Sequence, residues 1–322
     1  MLFRRFYYTL KPYLPWGVRM ALRRLLARRV RRTSGDVWPI DPKTAAIPDG
    51  WAGWPEGRKF AVVLTHDVEG PEGLARCREL AQRERELGFR SSFNFIPEGT
   101  YAVSPDLRSW LIDQGFEVGV HDLQHDGRLY NSPEDFSRKA ERINHYLRTW
   151  RARGFRSGFM LRNLDWLHQL DIQYDCSTFD TDPFEPQPEA AGTIFPFWMP
   201  APSRDGIANQ GKGYVEMPYT LPQDSTLYLL HQENTNGIWR EKLDWVASHG
   251  GMVLLNVHPD YLHFSGKGDA PQPTVLEHYL DLLRYLDQRY AGAYWHALPH
   301  EMATFVHAWQ SRLPAQGKRH SA

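Results

Sequence analysis

The chain has 322 residues, 42% of them apolar and 13% aromatic, enough for a sizeable core in one large domain or two small ones. Its formal net charge is zero, so global electrostatics point to no nucleic-acid partner. Two cysteines, Cys77 and Cys176, make no disulfide framework, and no run of about 18 apolar residues offers a membrane-spanning helix.

Residues 1–58 read as a basic N-terminal helix followed by a Pro/Gly-rich connector. The first 32 residues hold ten Lys or Arg and no acid. Val18, Leu22, Leu25, Leu26 and Val30 recur there at helical spacing, with Arg19, Arg23, Arg24, Arg28 and Arg29 between them, which predicts a basic amphipathic helix. Two readings fit it. The helix can lie on the main domain with a solvated arginine face, or it can contact an anionic membrane surface. The N-terminus lacks the continuous apolar run and cleavage site of an export signal, so cytoplasmic residence is expected, peripheral to the inner membrane face on the second reading. Pro39, Pro42, Pro48 and Pro55 make the connector extended.

Residues 59–313 alternate strands and helices, and 314–322 read as a tail. Residues 60–64 form a continuous apolar run, as a buried parallel strand requires. A helix over 72–87, a strand over 92–96, a short helix over 105–114 and a strand over 116–120 follow. Ser132 caps a long helix over 132–152. Strands are expected over 155–161 and 172–177. Residues 178–213 read as irregular, with short apolar pieces at 214–218 and 227–230. A helix over 236–248, a strand over 252–257, a helix over 274–289, a strand over 293–298 and a helix over 300–310 complete the chain. Repeated β-α units over about 250 residues fit a (β/α) barrel, whose active site lies at the C-terminal ends of its strands.

The reactive residues fall at such ends. Asp67 and Glu69 close the first strand, and residues i and i+2 of an extended end point the same way. One of the two can bind a metal while the other works as a base. A pair of helix-capping carboxylates is the alternative. His121 and His125 follow the third strand. If the chain turns into a helix there, both imidazoles share one face, and one carboxylate completes three ligands with room for water. His258 ends the strand over 252–257, where an imidazole can protonate a leaving group. Arg156 can orient a catalytic carboxylate by a paired hydrogen bond, and Asp175 can fix an active-site histidine. Phe195, Phe197 and Trp198 can wall a sugar site. His296 and His300, a second pair four apart, read as structural.

The series T-H-D-V-E at 65–69, H-D-x-x-H-D at 121–126, G-F-R at 154–156, Y-D-x-S-T at 174–178 and L-L-x-V-H-P at 254–259 resembles the polysaccharide deacetylases of carbohydrate esterase family 4, the NodB-homology family. The resemblance implies an α/β fold, a distorted (β/α) barrel of seven or eight strands. It implies a divalent metal, usually zinc, and hydrolysis of an N-acetyl group from an amino sugar or glycan. Carried over by motif, Asp67 is the general base, Glu69, His121 and His125 hold the metal, Arg156 tunes Asp67, and His258 is the general acid. This sequence departs from the family pattern at Val68, where adjacent aspartates are common, and at Ser157-Gly158, where a proline is usual. Two other readings remain open: hydrolysis of a different C–N bond on the same fold, and non-catalytic carbohydrate binding.

Overall fold

A computed structural model describes residues 16–202, 212–262 and 274–313. The expected tail at 314–322 and the first 15 residues lie outside them. Strand β1 (Phe60–Val68) is buried along its whole length and is the centre of the sheet. Strand β8 (Met252–Val257) runs parallel to it from Ala61 to His66. Its other edge is divided: β9 (Tyr294–His296) pairs with Phe60–Val62, and β2 (Ser92–Phe95) pairs with Thr65–Val68. From β2 the sheet continues through β3 (Glu117–His121), β4 (Gly154–Arg156), β5 (Tyr174–Asp175) and β7 (Gly213–Glu216), all parallel. Strand β6 (Phe197–Pro200) adds an antiparallel edge on β7.

The sheet does not close strand to strand between β7 and β8. Irregular chain closes it: the Thr220 and Leu221 amides both donate to the Leu254 carbonyl, and Thr220 Oγ1 donates to the Met252 carbonyl. The result is the expected distorted barrel, with eight parallel strands and one antiparallel edge strand among the described residues.

The helices form where periodicity and caps place them. These are α2 (Pro71–Glu86), α3 (Pro105–Asp113), α4 (Pro133–Trp150), α5 (Gly237–Ser248), α6 (Val275–Tyr290) and α7 (Pro299–Arg312). Ser132 Oγ accepts from the Asp135 amide at the start of α4, and Thr274 with Glu277 makes a reciprocal cap on α6. Three local expectations change. The strand expected over 155–161 stops at Arg156, because the chain turns sharply through Gly158–Met160. The stretch expected to be irregular contains β6. The apolar piece at 227–230 lies in a wide helical turn, Ser225–Leu230.

The N-terminal helix α1 (Trp16–Thr33) forms as expected, with most of its arginines exposed, but its leucine stripe is not the side packed on the barrel. Met20 and Ala27 are buried, Arg24 Nε donates to the Leu229 carbonyl at 3.0 Å, and Arg31 pairs with Glu233 at 2.6 Å. The leucine stripe faces outward. The connector packs onto the barrel through Trp51 and Trp54: the Trp51 ring lies 4.8 Å from Trp309, and Trp54 Nε1 donates to the Gly250 carbonyl.

Candidate active site

Strand alternation divides the β1 end. Thr65 and Asp67 point one way, His66 the other. His66 is fully buried outside the site, held by Glu84 at 2.6 Å and by the Val257 carbonyl. Asp67 points into the mouth of the barrel and is enclosed by donors. Asn94 Nδ2 donates to its Oδ1 and Asn256 Nδ2 to its Oδ2, each at 2.9 Å. Arg156 is completely buried and places NH1 3.4 Å from both carboxylate oxygens. The expected paired contact is thus a single nitrogen shared between two oxygens, because NH1 also donates to Thr65 Oγ1 and Nε to the Cys176 carbonyl. Burial alone would raise the Asp67 carboxyl. Arg156, His121 and His258 outweigh it and hold the group well below the usual carboxylate range.

Glu69, His121 and His125 offer three ligand atoms that all lie within 4.8 Å of one another. The route to this cluster differs from expectation. No helix starts at His121. Asp122 and His125 both adopt left-handed backbone (φ 56° and 53°), and the loop between them folds the two rings to 4.8 Å. The Asp122 carboxylate accepts from the Leu123 amide and so supports the turn. Gly158 makes room for it: a Cβ there would lie 2.7 Å from His125 Cδ2 and collide with the Asp122 carboxylate. His121 Nδ1 faces the Arg156 carbonyl at 3.1 Å, which leaves Nε2 for a ligand. That Nε2 is buried and has no hydrogen-bond partner among the described residues. Burial pushes the His121 pKa down, although Asp67 opposes it, and so favours the neutral imidazole a metal needs. Two imidazoles and a carboxylate are a known catalytic zinc donor set, and the cluster can hold a metal ion.

His258 faces the same cluster, with Nε2 3.9 Å from Glu69 Oε1. Its Nδ1 lies 2.6 Å from Asp224 Oδ1, and its backbone amide donates to Asp224 Oδ2. Burial would lower its pKa, but Asp224, and then Glu69 and Asp67, push it up to about 10. Asp224 therefore makes the contact expected of Asp175. Asp175 lies on β5, away from β8, and its carboxylate accepts from the Ser177 amide and hydroxyl. Among the described residues it pairs with no histidine.

A cavity of about 240 Å³ joins Asp67, Glu69, His121 and His258. Its aromatic walls are Phe159, Phe184 and Tyr261, not the expected trio. Phe195 is in the core against Trp51 and Trp54, Phe197 lines a different hollow, and Trp198 packs on His307. His296 and His300 lie outside the site, as expected: His296 Nε2 accepts from the Arg90 amide and His300 pairs with Glu117. Asn94, Asn256 and Asp224 were not among the expected site residues. The two asparagines carried a signal, each being a lone amide flanked on both sides by apolar strand residues.

No family model matches the chain, and no curated protein matches it. Solved structures do. A Mycobacterium smegmatis protein described as a presumed polysaccharide deacetylase superposes with a TM-score of 0.56 at 17% identity, covering 81% of this chain and 95% of that one. A family 4 acetyl xylan esterase from Clostridium thermocellum, solved with a cobalt ion, gives 0.42 at 13% identity over 76% and 91%. A family 4 carbohydrate esterase from Streptomyces lividans, solved with acetate, gives 0.43 at 13% over 74% and 93%. The motif resemblance and the first of these superpositions agree: the chain has the polysaccharide deacetylase fold.

Proposed function

We propose that the chain is a metal-dependent hydrolase that removes an N-acetyl group from an amino sugar or a glycan precursor. One observation carries this reading. A single cavity reaches Glu69 and His121 of the Glu69–His121–His125 group, a carboxylate kept ionised and an imidazole kept protonated. Opposite charge states at one site are what paired acid and base catalysis needs at neutral pH. A divalent ion in the cluster, zinc being the expected one, would polarise the acyl carbonyl and make bound water a better nucleophile. Asp67 accepts the proton of the attacking water. Arg156, Asn94 and Asn256 hold both its oxygens in place through the exchange. His258 delivers the proton on Nε2 to the departing sugar nitrogen. Asp224 keeps the proton on Nδ1 and stabilises the charged ring beforehand.

The test is acyl release from a panel of N-acetylated and N-formylated amino sugars, with the protein stripped by chelator and reloaded with zinc. The expected result is acetate release that disappears with the metal and returns with it. Release of formate alone would move the activity to another C–N bond. Sugar binding without release from any substrate would make the protein a carbohydrate-binding member of the fold.

A further inference from the structure

Among the described residues, seven large apolar side chains are exposed, and four of them fall within nine positions of α1: Val18, Leu22, Leu25 and Leu26. An α-helix advances about 100° per residue, which puts these four in one sector about 100° wide. The docked residues Met20, Arg24, Ala27 and Arg31 occupy the opposite side. Arg28, Arg29 and Arg32 are exposed one turn further along, Arg29 in line with the apolar stripe and the other two on one side of it. A surface helix ordinarily turns its apolar face to the core. Here two arginines anchor the helix to the barrel and the leucines point away.

Charge selects the occupant of that stripe. Trp16–Thr33 contains seven arginines and no acid. A second copy docked stripe to stripe would set Arg28, Arg29 and Arg32 of one helix near those of the other. Anionic lipid headgroups accept the arginines while the acyl region takes the leucines, as for helices that lie in the interfacial plane. The chain is neutral overall, so the ten positive charges of residues 1–32 are matched by an equal acid excess elsewhere. The positive charge is therefore segregated to the end that carries the stripe.

The same helix is a wall of the cavity. Met20 and Arg23 line it together with Asp67, Glu69, His121 and His258. A helix is about 10 Å across with its side chains, so seating the outer face in the headgroup layer holds the cavity mouth about one helix diameter from it. We propose that the outer face of α1 docks on an anionic bilayer, and that the substrate is a glycan carried on a lipid of that bilayer. The substrate half rests on the deacylation reading above; the docking half does not.

The experiment uses the full chain, loaded with zinc, and the double variant Leu22→Gln/Leu25→Gln, neither residue lining the cavity. Wild type should partition onto phosphatidylglycerol–phosphatidylcholine vesicles, weakly onto phosphatidylcholine alone, and less as salt rises. The variant should lose at least about tenfold in partitioning while melting like wild type. It should deacylate a water-soluble N-acetylated amino sugar as wild type does, and a vesicle-borne N-acetylated glycolipid at least about tenfold more slowly. Equal vesicle binding by the two proteins, or none by wild type, overturns the docking. Loss of self-association in place of vesicle binding assigns the stripe to a second copy and also overturns it. Equal rates on the vesicle-borne substrate overturn the substrate half. Leucine-dependent docking with no deacylation of either substrate overturns the proposed reaction and leaves the docking standing.

Discussion

Asp67 on β1 and the Asp175–Glu216 pair on β5 and β7 are equally buried, yet their carboxyl pKa values are driven in opposite directions. Asp67 faces a guanidinium and two imidazoles, and stays ionised despite its burial. Asp175 and Glu216 are register partners across two strands; Asp175 raises Glu216, whereas Glu216 lowers Asp175, which burial raises. Burial raises Glu216, and Asp175 raises it further, well above the usual carboxylate range. Thr178 donates to one Glu216 oxygen through its amide and its hydroxyl, which does not reverse the shift. Burial is thus common to both sites, and neighbouring charge decides which carboxylate can take a proton. Arg156 stands between them and directs NH1 to Asp67. A base is available on β1, and the wall behind it carries a carboxyl pair that burial drives toward the protonated form.

The largest expected effect comes from removing what gathers around the first site. His121→Ala and His125→Ala should each lose metal, measured by elemental analysis of purified protein, and activity should fall with it. Catalytic metal sites with three protein ligands seldom tolerate losing one. Full metal occupancy in both variants would place the ion elsewhere.

Asp67→Asn should retain metal and lose about 10²–10⁴-fold in kcat, because an amide cannot accept the water's proton. Glu69→Gln should instead bind metal more weakly, with turnover partly restored by added zinc. The geometry behind this division is that Glu69 reaches His125 at 3.2 Å while both Asp67 oxygens are occupied by asparagine donors. Metal lost in Asp67→Asn and kept in Glu69→Gln would exchange the two roles.

Much of this site was legible before any fold was known. Apolar runs ending in Asp67, His121 and His258 locate it, because the ends of parallel strands on one side of the sheet gather in one place. The barrel followed from β-α alternation and the start of the long helix from Ser132. What escaped has identifiable causes. Asp224 lies in chain with no strand pattern, so nothing local marks it as a partner for His258. The His121–His125 loop depends on two left-handed residues and on the space at Gly158, neither of which shows in a period. Strand β6 has only four residues and a proline. The sides of α1 were read from its leucine stripe, whereas Arg24 and Arg31 reach barrel acceptors that no periodicity contains.

Asp224→Asn should have a smaller effect that depends on pH. His258 is raised chiefly by Asp224, and the working form of a general acid is the protonated one. With the carboxylate gone, the alkaline limb of kcat/KM should move to lower pH. Each unit of lost pKa removes tenfold of the protonated ring above the new value. Metal content should not change. A loss of rate that is uniform across pH would make Asp224 a purely structural support.

The smallest effect should be Glu216→Gln, and it tests the comparison most directly. If Glu216 already carries a proton, an amide of the same shape replaces it with little change in charge. Gln can still accept from the Thr178 amide and hydroxyl. Turnover should stay within about tenfold of wild type, far from the loss at Asp67→Asn. Stability should report the proton itself. A carboxyl whose folded pKa is raised contributes stability that is fully present below its unfolded value near 4.5 and is lost as pH rises toward the folded value. Glu216→Gln removes that slope, so the melting temperature of the variant should gain on wild type as pH increases above about 4.5. Parallel melting curves across pH would mean that Glu216 is ionised in the fold, and the contrast with Asp67 would fail.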